Sequence, residues 1–354
     1  MLSLNKTNRV RAYVGSGAEQ RAERDGHWLK AVSLGKQSPS VAWCINNRIP
    51  LEKATSELGN TAGGFLVPNT LDAAIINVRD TVGAFRQRAD VRPARADGQT
   101  RPRRIGGTTA NFVSEGAAIP ESSWMLDSVD VALKKLGILV RASTELYEDS
   151  ESDLAEFVAS EFGYALAGVE DDCGFNGDGT SAFRGISGLG LKLTGNKGAI
   201  TAGNSTYLTL TGTDITDLMA AVLATSIPGA CWFISAIGFA QCFCRLAATS
   251  GGLVASPNPD GTITASFLGF PVVFSSKLPN VSTSLSAKPM IFFGNLAQSS
   301  MIVERNNATI IATSTERALD QDEVLIRGVR REDINIHSVG DATNFGAMAM
   351  LVGA

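Results

Sequence analysis

The sequence predicts an α+β fold, on three observations. Residues 129–140 place Val129, Val131 and Leu133, then Leu136, Ile138 and Val140, at every second position, the period of a strand. Residues 152–173 put Leu154, Phe157, Val158, Phe162, Ala165, Leu166 and Val169 on one stripe of a long helix. Residues 207–295 alternate helical and strand patterns, as a mixed sheet layer does.

Taken in order, residues 18–34 predict a short helix with Trp28, Leu29 and Val32 on one side, weakened by Gly26 and ended by Gly35. Residues 38–57 read as an extended or irregular strap, so residues 1–62 form an arm on the body or on neighbours. Gly63 and Gly64 make a turn before a short strand that Pro68 ends. Residues 70–81 predict a helix capped by Thr70.

Between Arg86 and Arg104 stand seven arginines, and no lysine occurs between Lys53 and Lys134. With glycines and prolines interrupting any helix, this run predicts the outgoing arm of a long hairpin. Its return strand is residues 128–141, with a bulge at Lys134–Lys135 where the alternation shifts. Between the arms lies FVSEGAAIPES, residues 112–122, which has neither core period and brings no nucleophile, base or metal-ligand set. It is suited to lie on another surface.

Acidic residues at 149–153 cap the long helix, and Gly174 with the NGDGT loop at 176–180 ends it. That loop follows a helix and lacks the lysine of a phosphate cradle. Glu170, Asp171 and Asp172 read as a solvated or intersubunit face. Thr213 caps a helix reaching Leu223, residues 230–235 form a buried strand, and 236–248 form a helix closed by Gly251–Gly252. Residues 299–314 predict two strands around an Asn306–Asn307 turn, and 322–339 a further strand pair.

With 354 residues, a prior of ~150 per domain predicts two packed units, and 44% hydrophobic residues fill real cores. The net charge of -4 argues against a protein whose main task is neutralising nucleic acid. No apolar run is long enough for a membrane span. The five cysteines lack framework or zinc spacing and read as buried thiols, and the two histidines, His27 and His337, as surface or interface residues. A hydrolase or transferase reading finds no nucleophile elbow, metal cluster or cofactor loop. No catalytic, cofactor-binding or metal residue is assigned.

The order of landmarks resembles the HK97-fold major capsid proteins of tailed bacteriophages. The resemblance rests on GGFLVP at 63–68, FVSEGAAIPES at 112–122, VDVALKKLGILVRAS at 129–143, ELYEDS at 145–150, the helix from 152, NGDGTSAFRGI at 176–186 and DQDEVLIRGVRRED at 320–333. It implies an N-terminal arm at 1–62 that straps neighbours, an E-loop hairpin at 91–128, and a P-domain from 63–90, 129–199 and 297–340. It also implies an axial A-domain at 200–296 and a C-terminal segment at 341–354. The spine helix would carry Leu154, Phe157, Val158, Phe162 and Leu166. Arg92, Arg95, Arg101, Arg103, Arg104, Glu115 and Glu121 would make intersubunit E-loop contacts, the arginines pairing with a neighbour's acids.

The implied function is a shell of hexamers and pentamers around double-stranded DNA, assembled in the host bacterial cytoplasm with portal and separate scaffolding or decoration proteins as partners. An encapsulin-type nanocompartment enclosing enzymes is the alternative. Some relatives cross-link an E-loop lysine to a neighbour's asparagine. This E-loop has no lysine, and Gln321–Asp322–Glu323 stands in the asparagine region, so no covalent cross-link is expected.

Overall fold

The computed structural model describes residues 10–34, 38–51, 65–94, 98–106, 108–114, 118–143, 151–250, 255–257, 263–305, 310–314 and 323–354. The expected turns or stops at Gly35, Gly63–Gly64, Gly251–Gly252 and Asn306–Asn307, and the first expected cap residues Asp149 and Ser150, lie outside them.

The chain opens with α1 (Ala18–Leu34) and α2 (Pro39–Asn46). The second corrects the expected strap. Ser38 accepts a hydrogen bond from Ser40 N and Pro39 follows it, so a capped start with proline in the first turn nucleates a helix that the weak apolar pattern concealed. Next come β1 (Phe65–Leu66) and α3 (Asn69–Val82). Thr70 does not cap α3. Its hydroxyl donates to Asp25 Oδ1 at 2.5 Å, and Tyr13 Oη donates to Asp25 Oδ2 at 2.8 Å. Asp25 is thus the buried acceptor that ties the N-terminal segment and α1 to α3.

Then follow β2 (Asp90–Ala94), β3 (Gly98–Gly106), β4 (Met125–Ala132), β5 (Lys134–Ser143) and the long helix α4 (Glu151–Asn176). At 26 residues α4 spans ~39 Å. Leu154, Val158, Phe162 and Leu166 are buried along it and Phe157 is half-buried, in a core with Leu71, Ile75 and Val78 of α3 and Trp28 and Leu29 of α1. Gly26 sits where α1 crosses the start of α4. A Cβ there would fall 1.9 Å from the Glu151 carbonyl oxygen. We therefore expect Gly26→Ala to destabilise the chain by about 1–3 kcal/mol, because backbone must shift. Urea unfolding measures it, and an unchanged midpoint would contradict this packing. Gly174 lies inside α4 rather than ending it, since a Cβ would meet the Phe85 ring at 2.4 Å.

The remaining elements are α5 (Leu189–Leu193), β6 (Ala199–Thr201), α6 (Gly212–Ala220) and β7 (Cys231–Ile234). A helical run α7 follows (Ala236–Gly238, Phe239–Cys244, Arg245–Ser250), with a π turn in its middle. After it come β8 (Ala255–Pro257), β9 (Ile263–Phe267), β10 (Phe270–Phe274), β11 (Pro289–Gly294) and α8 (Leu296–Ser299). The chain ends with β12 (Ser300–Arg305), β13 (Ile310–Ser314), β14 (Glu323–Ile336) and β15 (Met348–Val352). The cap of α6 is Thr211, in a reciprocal capping box with Asp214, and the helix stops at Ala220.

Among the described residues one sheet runs β1-β13-β14-β12-β2, with β5 also on β14. Two sequence readings are corrected in it. Residues 323–336 are one strand, not a pair, and β12 and β13 are not a hairpin. Both run antiparallel along β14, Ser300–Glu304 opposite Ile336–Glu332 and Ile310–Ser314 opposite Val329–Leu325. Gly328 interrupts the apolar alternation because the Phe162 ring covers it, 2.5 Å from where a Cβ would stand.

A second sheet runs β6-β15-β11-β7-β10-β9-β8, and β3 and β4 form a separate two-stranded one. Its strand β7 is buried throughout, as expected of residues 230–235. The sequence did not show that β15, from the chain's end, pairs with β11 and β6 inside it. A shared apolar cluster of Phe85, Phe175, Phe233, Phe292, Ile302 and Ile334 joins the two larger sheets. Cys44, Cys173, Cys231 and Cys242 are buried free thiols, and Cys244 is half-buried.

Candidate assembly surfaces

The hairpin β3–β4 leaves the body at its root, and the described residues of its tip are uncovered. Its ladder runs from Gly98 opposite Ala132 to Gly106 opposite Met125, over roughly 30 Å of strand. The expected return strand of 128–141 breaks at Leu133, where the chain passes from β4 to β5. There β5 joins β14, Lys134 opposite Glu332, so the alternation shift marks a change of sheet rather than a bulge.

Val129 and Val131 pack on Met301 and Val303 of β12 and fix the root. Buried Asp333 accepts hydrogen bonds from Ala132 N at 3.0 Å and Lys134 Nζ at 2.6 Å, clamping β4 to β14. Beyond the ladder, Ser122 Oγ bridges Thr109 N and O at 3.2 and 3.3 Å and keeps the arms together.

At the tip the described residues 108–114 and 118–124 are exposed. Phe112, Ile119 and Trp124 stand wholly or largely in solvent, and Ile105 and Leu126 are each about 60% exposed at the end of the ladder. A cluster of large apolar side chains on one projection marks an interaction surface.

The expected contact residues divide as follows. Arg92 lies on β2 in the body sheet, where its Nε donates to Asp90 Oδ2 at 2.6 Å. Arg101 donates to the Pro93 carbonyl at 3.0 Å and reaches Met301 Sδ at 3.7 Å. Arg103 meets Asp127, its cross-strand partner, at 3.0 and 2.7 Å. That hydrogen bond holds the Asp127 carboxyl below its ordinary value. Arg104 stands opposite Leu126 in the ladder. Glu121 is exposed near the tip. Arg95 and Glu115 lie outside the described residues.

Arg92, Arg101 and Arg103 therefore have partners within their own chain. If Arg103 acts inside the hairpin, Arg103→Glu should weaken assembly and adding Asp127→Arg should restore it. Particle yield by sedimentation measures this, and a double variant no better than the single one would place the Arg103 partner on a neighbour.

A buried ionic cluster under the root was missed. Arg79 of α3, fully buried, lies 2.7 Å from Glu304 of β12, 3.2 Å from Glu170 of α4 and 3.7 Å from Glu332 of β14. Arg86 meets Asp80 at 2.5 Å, Glu304 at 3.0 Å and Glu170 at 3.7 Å. Arg330 meets Glu304 at 3.3 Å and Asp72 at 3.4 Å. Burial pushes the Glu304 carboxyl up, but Arg79, Arg86 and Arg330 outweigh it and hold the group at about 2.

Glu170 is fully buried, which overturns its reading as a solvated acid. The sequence reading set it off the apolar stripe, although its spacing of four from Leu166, itself four from Phe162, is the signal that could have placed it on the buried face. Asp171 is buried too and accepts from Ala84 N and Phe85 N. Burial raises it to about 6, against those two donors. Among the described residues no three His, Cys, Asp or Glu side chains are grouped to hold a metal ion, and no helix is long and apolar enough to cross a membrane.

No curated protein matches the sequence. Solved structures similar to this one include the capsid of an empty GTA particle, at 18% identity and TM-score 0.56, covering 88% of this chain and 98% of that one. A chain from Mycobacterium phage Bobi is similar at 16% identity and TM-score 0.54, covering 87% and 96%. One from Microbacterium phage Oxtober96 is similar at 15% identity and TM-score 0.52, covering 90% and 99%. These likenesses show the HK97-like α+β fold. The phage capsid family matches residues 63–339. With most of its length so matched, the chain belongs to the phage capsid family.

Proposed function

We propose that copies of this major capsid protein form hexamers and pentamers that close into an icosahedral shell around double-stranded DNA, with the hairpin β3–β4 as the E-loop that grips a neighbouring subunit. One observation carries the role of the hairpin: Phe112, Ile119 and Trp124 are exposed together on its projecting tip. A lone soluble subunit gains nothing from such a surface, whereas a shell covers it.

The hairpin has no lysine, so it holds its neighbour by apolar contact and charge without a covalent bond. The body of α4 and the first sheet serves as the P-domain and the seven-stranded sheet as the A-domain. The described part of the N-terminal segment covers its own α4. Portal, scaffolding and decoration proteins are the further partners, and assembly takes place in the host bacterial cytoplasm.

Electron microscopy of the purified protein tests the reading. Closed particles tens of nanometres across are expected, carrying DNA when made with the packaging machinery. Monodisperse subunits at every concentration would contradict shell formation, and shells filled with an enzyme instead of DNA would contradict the viral role.

A further inference from the structure

The cluster under the hairpin root has more acid than base. Glu332 of β14 and Glu170 of α4 converge on one atom, Arg79 Nη1, at 3.7 and 3.2 Å. No donor among the described residues is aligned on either Glu170 oxygen or on Glu332 Oε2. Facing them are Asp72, Arg79 and Asp80 from α3, Arg86 from the turn after it, Glu304 from β12, Arg330 from β14 itself and the Cys173 thiol of α4, which burial pushes up to about 11. From β5, Lys134 stands opposite Glu332 in the ladder, but its ammonium group is spent on Asp333. The ionic contacts thus join three guanidinium groups to five carboxylates.

We propose that Glu332 and Glu170 form a proton-operated latch: with a proton on Glu332, donated toward Glu170, the hairpin root is locked to α4, and loss of that proton to solvent base unlocks it. Two buried anions at a single guanidinium nitrogen repel each other, and a proton between them both removes the repulsion and supplies the missing donor. Glu332 is adjacent to Asp333, which holds Ala132 N and Lys134 Nζ of the root. Strain at Glu332 therefore passes directly to the point where β4 meets the body. The latch belongs to the single chain and does not depend on the shell reading.

Burial first, and then the charge of Glu170, push the Glu332 carboxyl well above its ordinary value of 4.5, against Arg79. A folded value above the unfolded one means that the native state holds the extra proton. The stability it contributes is complete below about 4.5 and falls as pH rises toward the folded value. Glu304, held at about 2, contributes the opposite dependence at lower pH. Asp171, at about 6, overlaps the window but is the same in any Glu332 variant.

Hydrogen exchange on the full chain between pH 5 and 9, expressed as protection factors, tests the latch. In the wild type, protection at residues 129–132 and 166–173 should fall at least tenfold as pH rises. Glu332→Gln, which mimics the protonated acid, should retain only the smaller fall that Asp171 contributes as pH rises through about 6, and should stay level above it. Parallel wild-type and variant profiles, or a flat wild-type profile, would overturn the proposal. So would failure of both Glu332→Gln and Glu170→Gln to fold at pH 5, where the neutral amide should be accepted.

Discussion

Phe112→Ser combined with Trp124→Ser is expected to leave the subunit folded and to abolish shells at concentrations where the wild type forms them. Both side chains are exposed in the isolated chain, so removing them takes nothing from its core. Surface changes of this kind move stability by about 0.5 kcal/mol, so Tm should stay within about 2 °C. At a covered contact each ring would contribute about 1.5–3 kcal/mol by leaving water. Even the lower value for the pair, about 3 kcal/mol, is about a hundredfold in association for one contact. Every subunit in a shell repeats that loss, so the critical concentration for assembly should rise by at least about a hundredfold. Light scattering against concentration reads it directly. Wild-type assembly by this variant would show that the tip is not the gripping surface.

The second large effect falls on folding. Arg79→Met should lower unfolding free energy by about 3–5 kcal/mol, the usual loss when one partner of a buried ion pair is removed. Arg79 is fully buried and links α3 to Glu304, Glu170 and Glu332 on three other elements. Without it Glu304 loses the nearest of the three cations that hold its carboxyl at about 2. Because Glu304 is stabilising above the unfolded value of 4.5 and loses that contribution as pH falls toward 2, the deficit of the variant should be largest near neutrality and shrink in acid. Urea unfolding followed by circular dichroism at pH 7 and pH 4 measures both effects. A loss under about 1 kcal/mol at pH 7 would mean that the cluster is not held together by Arg79.

What could be read from the sequence was what local periodicity encodes. The helix at 18–34, the α4 stripe through Leu154, Val158, Phe162 and Leu166, and the buried strand at 231–234 follow from apolar spacing alone, whereas Ala165 and Val169, expected on the same stripe, are exposed. The hairpin was legible as a long excursion, because its arms are polar or strictly alternating. Its inner pairing was not. Arg103 and Asp127 are 24 residues apart, and only the ladder register makes them partners. The strand β14 was divided in two because Gly328 and the charges at 330–333 break its pattern, yet Gly328 faces the Phe162 ring and Arg330 and Glu332 face the ionic cluster. The collinear run of β12 and β13 was read as a hairpin because a polar stretch separates two apolar ones, which is also how a turn looks. Glu170 shows the general difficulty. It was read off the apolar stripe because a carboxylate reads as solvated until Arg79, distant in sequence, is found beside it.

Cryo-electron microscopy of closed shells tests most directly whether the hairpin tip grips a neighbouring subunit. Phe112, Ile119 and Trp124 should each lie within about 4 Å of apolar atoms of an adjacent subunit, the distance of direct packing. Closed shells in which these three side chains remain in solvent, with the hairpin resting only on its own body, would contradict it.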